Sequence, residues 1–321
     1  MRTPVCVAAL LILMSGCSSK TNPTVLVPPR TPGSTASSIL TASSRPAPAM
    51  VQIENANDSL PHSGIQQADI VFEYLTEGGI TRFTAIYFNP QGASKIEPLR
   101  SARLVSLKLL QAYGGVLFYS GASNKVLSQI LQNGAPTLDE NGGGGKYMAR
   151  DYYRYAPHNL YTTGDNLRTG IADLGRKVSY PIIATGADPV GGDPVTQFTF
   201  TQSFAHTVSY AYSAATHTYT YSSEAGTEVD ATNGSKPVQI TNVVLIKVSH
   251  FDAGYVEDVA GADGIDFNLN GSGPADIYTR GEHFTGTWDL TQTDRPLKLL
   301  NSGGTPFLLP AGPTWFELVD P

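Results

Sequence analysis

Residues 63–103 read SGIQQADIVFEYLTEGGITRFTAIYFNPQGASKIEPLRSAR, and this stretch decides the fold. Ala68 to Leu75 is an apolar run bounded by polar residues, the mark of a buried strand. Gly78-Gly79 makes a turn, because glycine accepts positive φ. Ile80 to Phe88 then alternates, and both of its faces carry apolar residues, as a central strand requires. A loop follows and closes on Arg100 and Arg103. Past it the period changes: Leu104, Leu107, Lys108 and Gln111 mark one side of a helix reaching Tyr113, with Ser101 the expected N-cap. Val116–Tyr119 is a short strand, and Asn124–Leu131 and Asp165–Leu174 are further helices. Strands alternating with helices imply helices packed on a mixed sheet.

Outward toward the C-terminus the pattern turns to strands. Segments beginning at Thr196, Thr207 and Thr218 alternate small polar and aromatic residues, Asn233-Gly234 is a hairpin signal, and Val238–Val248 is the strongest apolar strand of this half. More short strands follow, the last over Thr314–Val319. The fold class expected is therefore α/β (α+β), with a mixed sheet and packed helices in the N-terminal half and an antiparallel β-rich C-terminal half. A boundary near residue 190 divides the body into domains at 51–190 and 191–321, although Val238–Val248 could join a shared sheet.

Outward toward the N-terminus lies an address. Arg2 and the short apolar run Val5–Met14 read as a signal peptide over residues 1–16. Leu13-Met14-Ser15-Gly16-Cys17 resembles a bacterial lipobox, which would make Cys17 the lipidated first residue of the mature chain. Residues 17–50 are rich in Ser, Thr and Pro and read as a disordered tether. The chain has 2 cysteines, Cys6 and Cys17. If Cys6 leaves with the signal peptide and Cys17 carries lipid, disulfides, zinc-thiolate sites and cysteine nucleophiles are excluded. The expected location is the extracytoplasmic face of the cell membrane, held by lipid. The net charge of −6 argues against nucleic acid as a partner.

Chemistry concentrates in two clusters. The first holds Glu73, Glu77, Arg82, Arg100 and Arg103. A carboxylate inside an apolar run needs a partner, and arginine is the natural one. Two readings stand: a Glu–Arg brace that fixes the sheet, or an anion site at a loop-to-helix junction. The second cluster, RDYYRYAPHNLY, supplies Arg150, Asp151, Arg154, His158 and Asn159. Its histidine could move protons or merely bridge loops. Gly142–Gly145 followed by Lys146 is not a phosphate loop, because Tyr147 stands where Ser or Thr is needed; a flexible lid is expected there. Ser120 lacks the G-x-S-x-G context of a hydrolase nucleophile. Asp263, Asp266, Asn268 and Asn270 fall short of a calcium loop. No metal and no cofactor is expected. The tyrosines near the glycine run suit either a glycan platform or ordinary packing.

The opening stretch, the LRSAR at 99–103 and the APHNLY at 156–161 resemble the YerB-like bacterial lipoproteins, a family with N- and C-terminal domains of unknown function. The resemblance covers roughly residues 50–320. It implies an exported, lipid-anchored protein and supplies no catalytic residues. A likeness in layout alone, to the LytR-CpsA-Psr glycan-transfer enzymes, is fold-level analogy. The expected function is a binding or scaffolding module of the cell envelope with an arginine-lined groove for an anionic or glycan ligand. The alternatives are an envelope enzyme acting on lipid-linked substrates and a purely structural partner of another envelope protein.

Overall fold

The computed structural model describes residues 45–179 and 185–321. The expected signal peptide, Cys17 and the tether as far as residue 44 lie outside the described residues. Residues 45–50, assigned to the tether from sequence, belong instead to the folded body. Arg45 and Pro46 pair with Val178 and Lys177, and Ala47, Ala49 and Met50 are buried. Proline-rich extended backbone looks the same in a tether and at a sheet edge, which explains the misplaced boundary.

The strands named here are β1 (Ala49–Glu54), β2 (Ile70–Leu75), β3 (Thr81–Tyr87), β4 (Val116–Tyr119) and β5 (Thr137–Asp139). The helices are α1 (Leu104–Tyr113), α2 (Asn124–Asn133) and α3 (Gly164–Asp173). The second half adds β6 (Gln197–Ser203), β7 (His206–Ser213), β8 (Thr218–Ser223), β9 (Asn242–Lys247), β10 (His250–Val256) and β11 (Asp263–Phe267). It ends with β12 (Ser272–Thr279), β13 (Glu282–Asp289), β14 (Lys298–Asn301) and β15 (Thr314–Val319).

One 11-stranded sheet runs through both halves, in the order β13-β12-β9-β15-β2-β3-β1-β4-β5, with Asp193–Pro194 and β14 also on β13. Strands from either side of residue 190 thus lie in one sheet. The C-terminal strand β15 is parallel to both β9 and β2. The second half is therefore not purely antiparallel, as its sequence suggested. Apolar runs report burial but not direction. Strands β6, β7 and β8 with Gly226–Thr227 form a separate antiparallel sheet, and β10 pairs with β11 as a hairpin.

The main sheet is covered on both faces, which is why its strands read as continuous apolar runs. On one side Phe72 stacks on Phe316 at 4.8 Å and meets Tyr113 of α1 edge-on at 5.7 Å. On the other, Phe83 and Trp315 meet Tyr221 of β8 at 6.4 and 5.3 Å. Fully burying each such side chain contributes about 1.5–3 kcal/mol. Helix α1 starts later than expected. Arg103 occupies the N-cap position, its N–H donating to Ser106 Oγ at 2.9 Å, while Ser101 Oγ donates to Ser120 O at 3.0 Å. Helix α2 is capped by Ser123, whose Oγ accepts from Val126 N, and α3 by Thr163.

The glycine run is wound into turns rather than hanging as an open loop. Gly142 N and Gly144 N both donate to Asp139 O, at 3.0 and 2.9 Å, and Tyr147 N donates to Gly144 O. A Cβ on Gly144 would lie 2.5 Å from the Leu138 carbonyl carbon, so close backbone approach requires glycine there.

Candidate functional site

The parallel strands β1, β4 and β5 end at one edge, where open α/β sheets place ligands. Glu54 closes β1, Ser120 follows β4 and Glu140 follows β5. Ser120 Oγ donates to Glu140 Oε2 at 2.5 Å, a structural contact rather than an activated nucleophile. The loop to α1 is bonded across this edge by Arg100 N to Gln52 O and Ala102 N to Gly121 O. Two clefts open here.

The first has a volume of about 930 Å³ and is lined by Glu54, Glu77, Arg82, Arg100, Arg103 and Glu257 among others. It brings together four of the five residues of the first sequence cluster. Two of its arginines are braced. Arg103 bonds Glu77 through Nε at 3.0 Å and through Nη2, and its Nη1 lies 3.4 Å from Glu257 Oε1. Burial raises the Glu77 carboxyl, but the Arg103 hydrogen bonds and charge outweigh it and hold the group below its usual range. Arg100 Nε lies 3.1 Å from Glu54 Oε1.

Arg82 differs. It is 2% exposed, and among the described residues it forms no ion pair. Its Nη1 donates to Ser101 O at 3.1 Å, and its buried Nε has no partner. Burial, then the neighbouring Arg103 charge, push this guanidinium down to about 10. It remains charged at neutral pH; Glu77 and Glu54 act on its charge from longer range, and no carboxylate is in ion-pair contact with it among the described residues. Ser123 and Asn124 also line the cleft, so the N-terminus of α2 opens onto it and adds partial positive charge.

Glu73, expected to pair with arginine, does not. It points to the opposite face of the sheet, because Arg82 of β3 stands opposite Tyr74, the next residue of β2, and successive side chains alternate. Its Oε1 takes His206 Nε2 at 2.9 Å, Thr81 Oγ1 at 2.5 Å and Asn55 Nδ2 at 3.0 Å. Glu317 faces it in register from β15. Both are fully buried. Burial, then the neighbouring Glu73 charge, raise the Glu317 carboxyl well above its ordinary value. Tyr210 OH and Gln202 Nε2 complete the cluster.

The second cleft, of about 740 Å³, contains Asp151, Arg154 and His158 of the second sequence cluster together with Lys95 and Glu97. Lys95 bonds Asp151 and lies 2.8 Å from Glu97 Oε2; Arg154 donates to Glu97 Oε2 at 3.2 Å and to Pro61 O at 3.1 Å. Arg150 and Asn159 stand outside it. Arg150 grips Glu140, with Nη2 at 2.6 Å, and bonds Asn159 Oδ1 at 2.9 Å. Glu54 links the clefts: its Oε1 faces Arg100, and its Oε2 meets His158 Nδ1 at 2.7 Å. A carboxylate on Nδ1 sets the tautomer of a proton-moving histidine, but His158 Nε2 touches no nucleophile among the described residues. No group of three or more metal-ligating side chains occurs among them either. Sequence reasoning missed Glu54, Glu97, Glu257 and Lys95. Glu54 is a lone acid at a strand end and Glu257 sits beside Asp258 in a distant loop, and only the fold brings them to the arginines.

Fold and site together define a strand-rich, mixed α/β protein with an arginine-bearing cleft at the carboxyl edge of its sheet. Family models place it further. "Protein of unknown function (DUF3048) N-terminal domain" matches residues 34–177, and the corresponding C-terminal domain matches residues 198–316. The chain belongs to this family. It is 27% identical over 278 residues to "Putative lipoprotein YerB" of Bacillus subtilis (strain 168), spanning 85% of this chain and 81% of that protein. The crystal structure of Bacillus subtilis YerB superposes with a TM-score of 0.73 at 25% identity, covering 87% of this chain and 92% of that one.

Proposed function

We infer that this is a lipid-anchored binding protein of the bacterial envelope whose arginine cleft takes an anionic group, phosphoryl or carboxylate. The observation that carries the reading is Arg82, a buried guanidinium without a carboxylate partner beside a cleft of about 930 Å³. Burying an unpaired charge costs several kcal/mol. An anion bound in the cleft would supply the close counter-charge that Glu77 and Glu54 do not. Acids outnumber arginines along this cleft, four (Glu54, Glu77, Glu257 and Asp258) to three, so selectivity for an anion rests on Arg82 and the end of α2 rather than on a cationic field. The lipobox-like run ending at Cys17, together with the name of the Bacillus relative, supports the anchor. Incorporation of a labelled fatty acid, lost in Cys17→Ser, tests it.

The binding test compares inorganic pyrophosphate with citrate by calorimetry and thermal shift. At least one should bind and raise the Tm of the wild type, and which one binds distinguishes phosphoryl from carboxylate recognition. Arg82→Met should abolish the shift while leaving the apo protein as stable or more so, because it removes a buried charge. Neither anion binding, or binding unchanged in Arg82→Met, overturns the reading.

A further inference from the structure

The second cleft carries a separate feature. Three tyrosines in four residues hold their rings almost wholly in solvent: Tyr152 is 100% exposed, Tyr153 97% and Tyr155 91%. None makes a ring contact or a side-chain hydrogen bond among the described residues. Most large aromatic side chains in this protein are buried, so this is a concentration rather than a scatter.

The backbone that presents them is held firmly. Asp151 N donates to Asn159 O at 2.8 Å, Tyr153 N to Asp151 Oδ1 at 2.8 Å and His158 N to Tyr155 O at 2.9 Å. Arg154 pins the middle of the segment to Ser59 O and Pro61 O. Rigid, unoccupied aromatic rings on a braced turn lose little conformational entropy on binding.

Tyr153 and Tyr155 also line the cleft of about 740 Å³, within the span of roughly 300–1,000 Å³ usual for small-molecule sites. Leu60, Pro61, Ala156 and Ala231 add apolar wall, and the charged Lys95, Asp151, Arg154 and Glu97 are paired with one another. Asp58 adds another carboxylate, so an anionic ligand would meet more acid than base here. Glu97, on the cleft wall, keeps a free acceptor: its Oε1 has no donor, while Oε2 takes both cations.

We propose that this cleft is a carbohydrate subsite, in which a neutral oligosaccharide lays C–H faces on Tyr153 and Tyr155 and donates a hydroxyl to the Glu97 carboxylate. Sugars combine flat apolar faces with many O–H donors, and the cleft offers aromatic faces beside a carboxylate acceptor in a nearly charge-balanced setting. The proposal is independent of anion binding at Arg82.

The test titrates the full-length protein with chitotetraose, cellotetraose and maltotetraose by NMR and calorimetry. At least one should bind, with shifts confined to residues 151–158 and their cleft neighbours. Tyr153→Ala and Tyr155→Ala should each weaken it about tenfold. Both are surface changes that leave the Tm unchanged. No binding by any of the three at millimolar concentration overturns the proposal. So does binding that both tyrosine variants retain, or binding that maps to the Arg82 cleft.

Discussion

Replacing Glu317 with glutamine should stabilise this protein at neutral pH. Glu317 and Glu73 are fully buried and face each other from parallel strands β15 and β2. Their nearest cationic group is His206, 2.9 Å from Glu73. One charge is matched and the second is not, so Glu317 keeps its proton in the folded state. Unfolded, it titrates near about 4.3. Because the folded pKa lies above the unfolded one, its stabilisation is complete below the unfolded value and is lost as pH rises toward the folded value. Each pH unit in that window costs about 1.4 kcal/mol. Glutamine mimics the protonated acid without that cost. Its NH₂ group can donate to Glu73, and Gln202, whose Oε1 has no partner, can flip its amide to accept. The amide geometry returns about 1 kcal/mol of the gain. Urea denaturation of both proteins at pH 5 and pH 7 isolates the effect, since distant histidines such as His62 titrate in both and drop out. The advantage of Glu317→Gln should be larger at pH 7 than at pH 5, growing by at most about 1.4 kcal/mol per pH unit. An equal loss of stability at both would refute the raised Glu317 carboxyl.

Arg103→Met should act oppositely to Arg82→Met: it strands the buried Glu77 and Glu257 and should cost about 3–5 kcal/mol in chemical denaturation. Gly144→Ala, placing a methyl 2.5 Å from backbone carbon, should destabilise by about 1–3 kcal/mol, read as a lowered Tm. His62 is fully buried; burial lowers its pKa, but Glu228 at 2.9 Å outweighs that and leaves it raised. A raised folded pKa means that the pair's stabilisation is present below about 6.5 and fades as pH rises through the folded value. Glu228→Gln should therefore cost more at pH 6 than at pH 9 when unfolding is followed by circular dichroism.

The elements near the arginines were legible because their signals are local. The apolar run at Ala68–Leu75 and the period change after Ser101 report burial and helix without reference to distant residues. Arg100 and Arg103 stand at the loop-to-helix junction, and strand pairing brings Arg82 to the same cleft. Glu73 was misassigned because its partner was sought among the nearby arginines. Its actual neighbours, His206 and Glu317, are separated from it by more than a hundred residues. The glycine run was read as a lid for want of any sign that Leu138 and Asp139 approach its backbone.

By itself, then, the sequence determined which segments are strands and helices, the lipobox-like address, and the family, since each depends on residues adjacent in the chain. The tertiary structure alone decided that β15 enters the sheet beside β2, which pairs Glu317 with Glu73. It alone decided that Arg103 is neutralised by Glu77 and Glu257 while Arg82 is left without an ion-pair contact. Those outcomes depend on which strand lies next to which. Side-chain alternation sets a residue's face of the sheet, but only strand order and register set its neighbour.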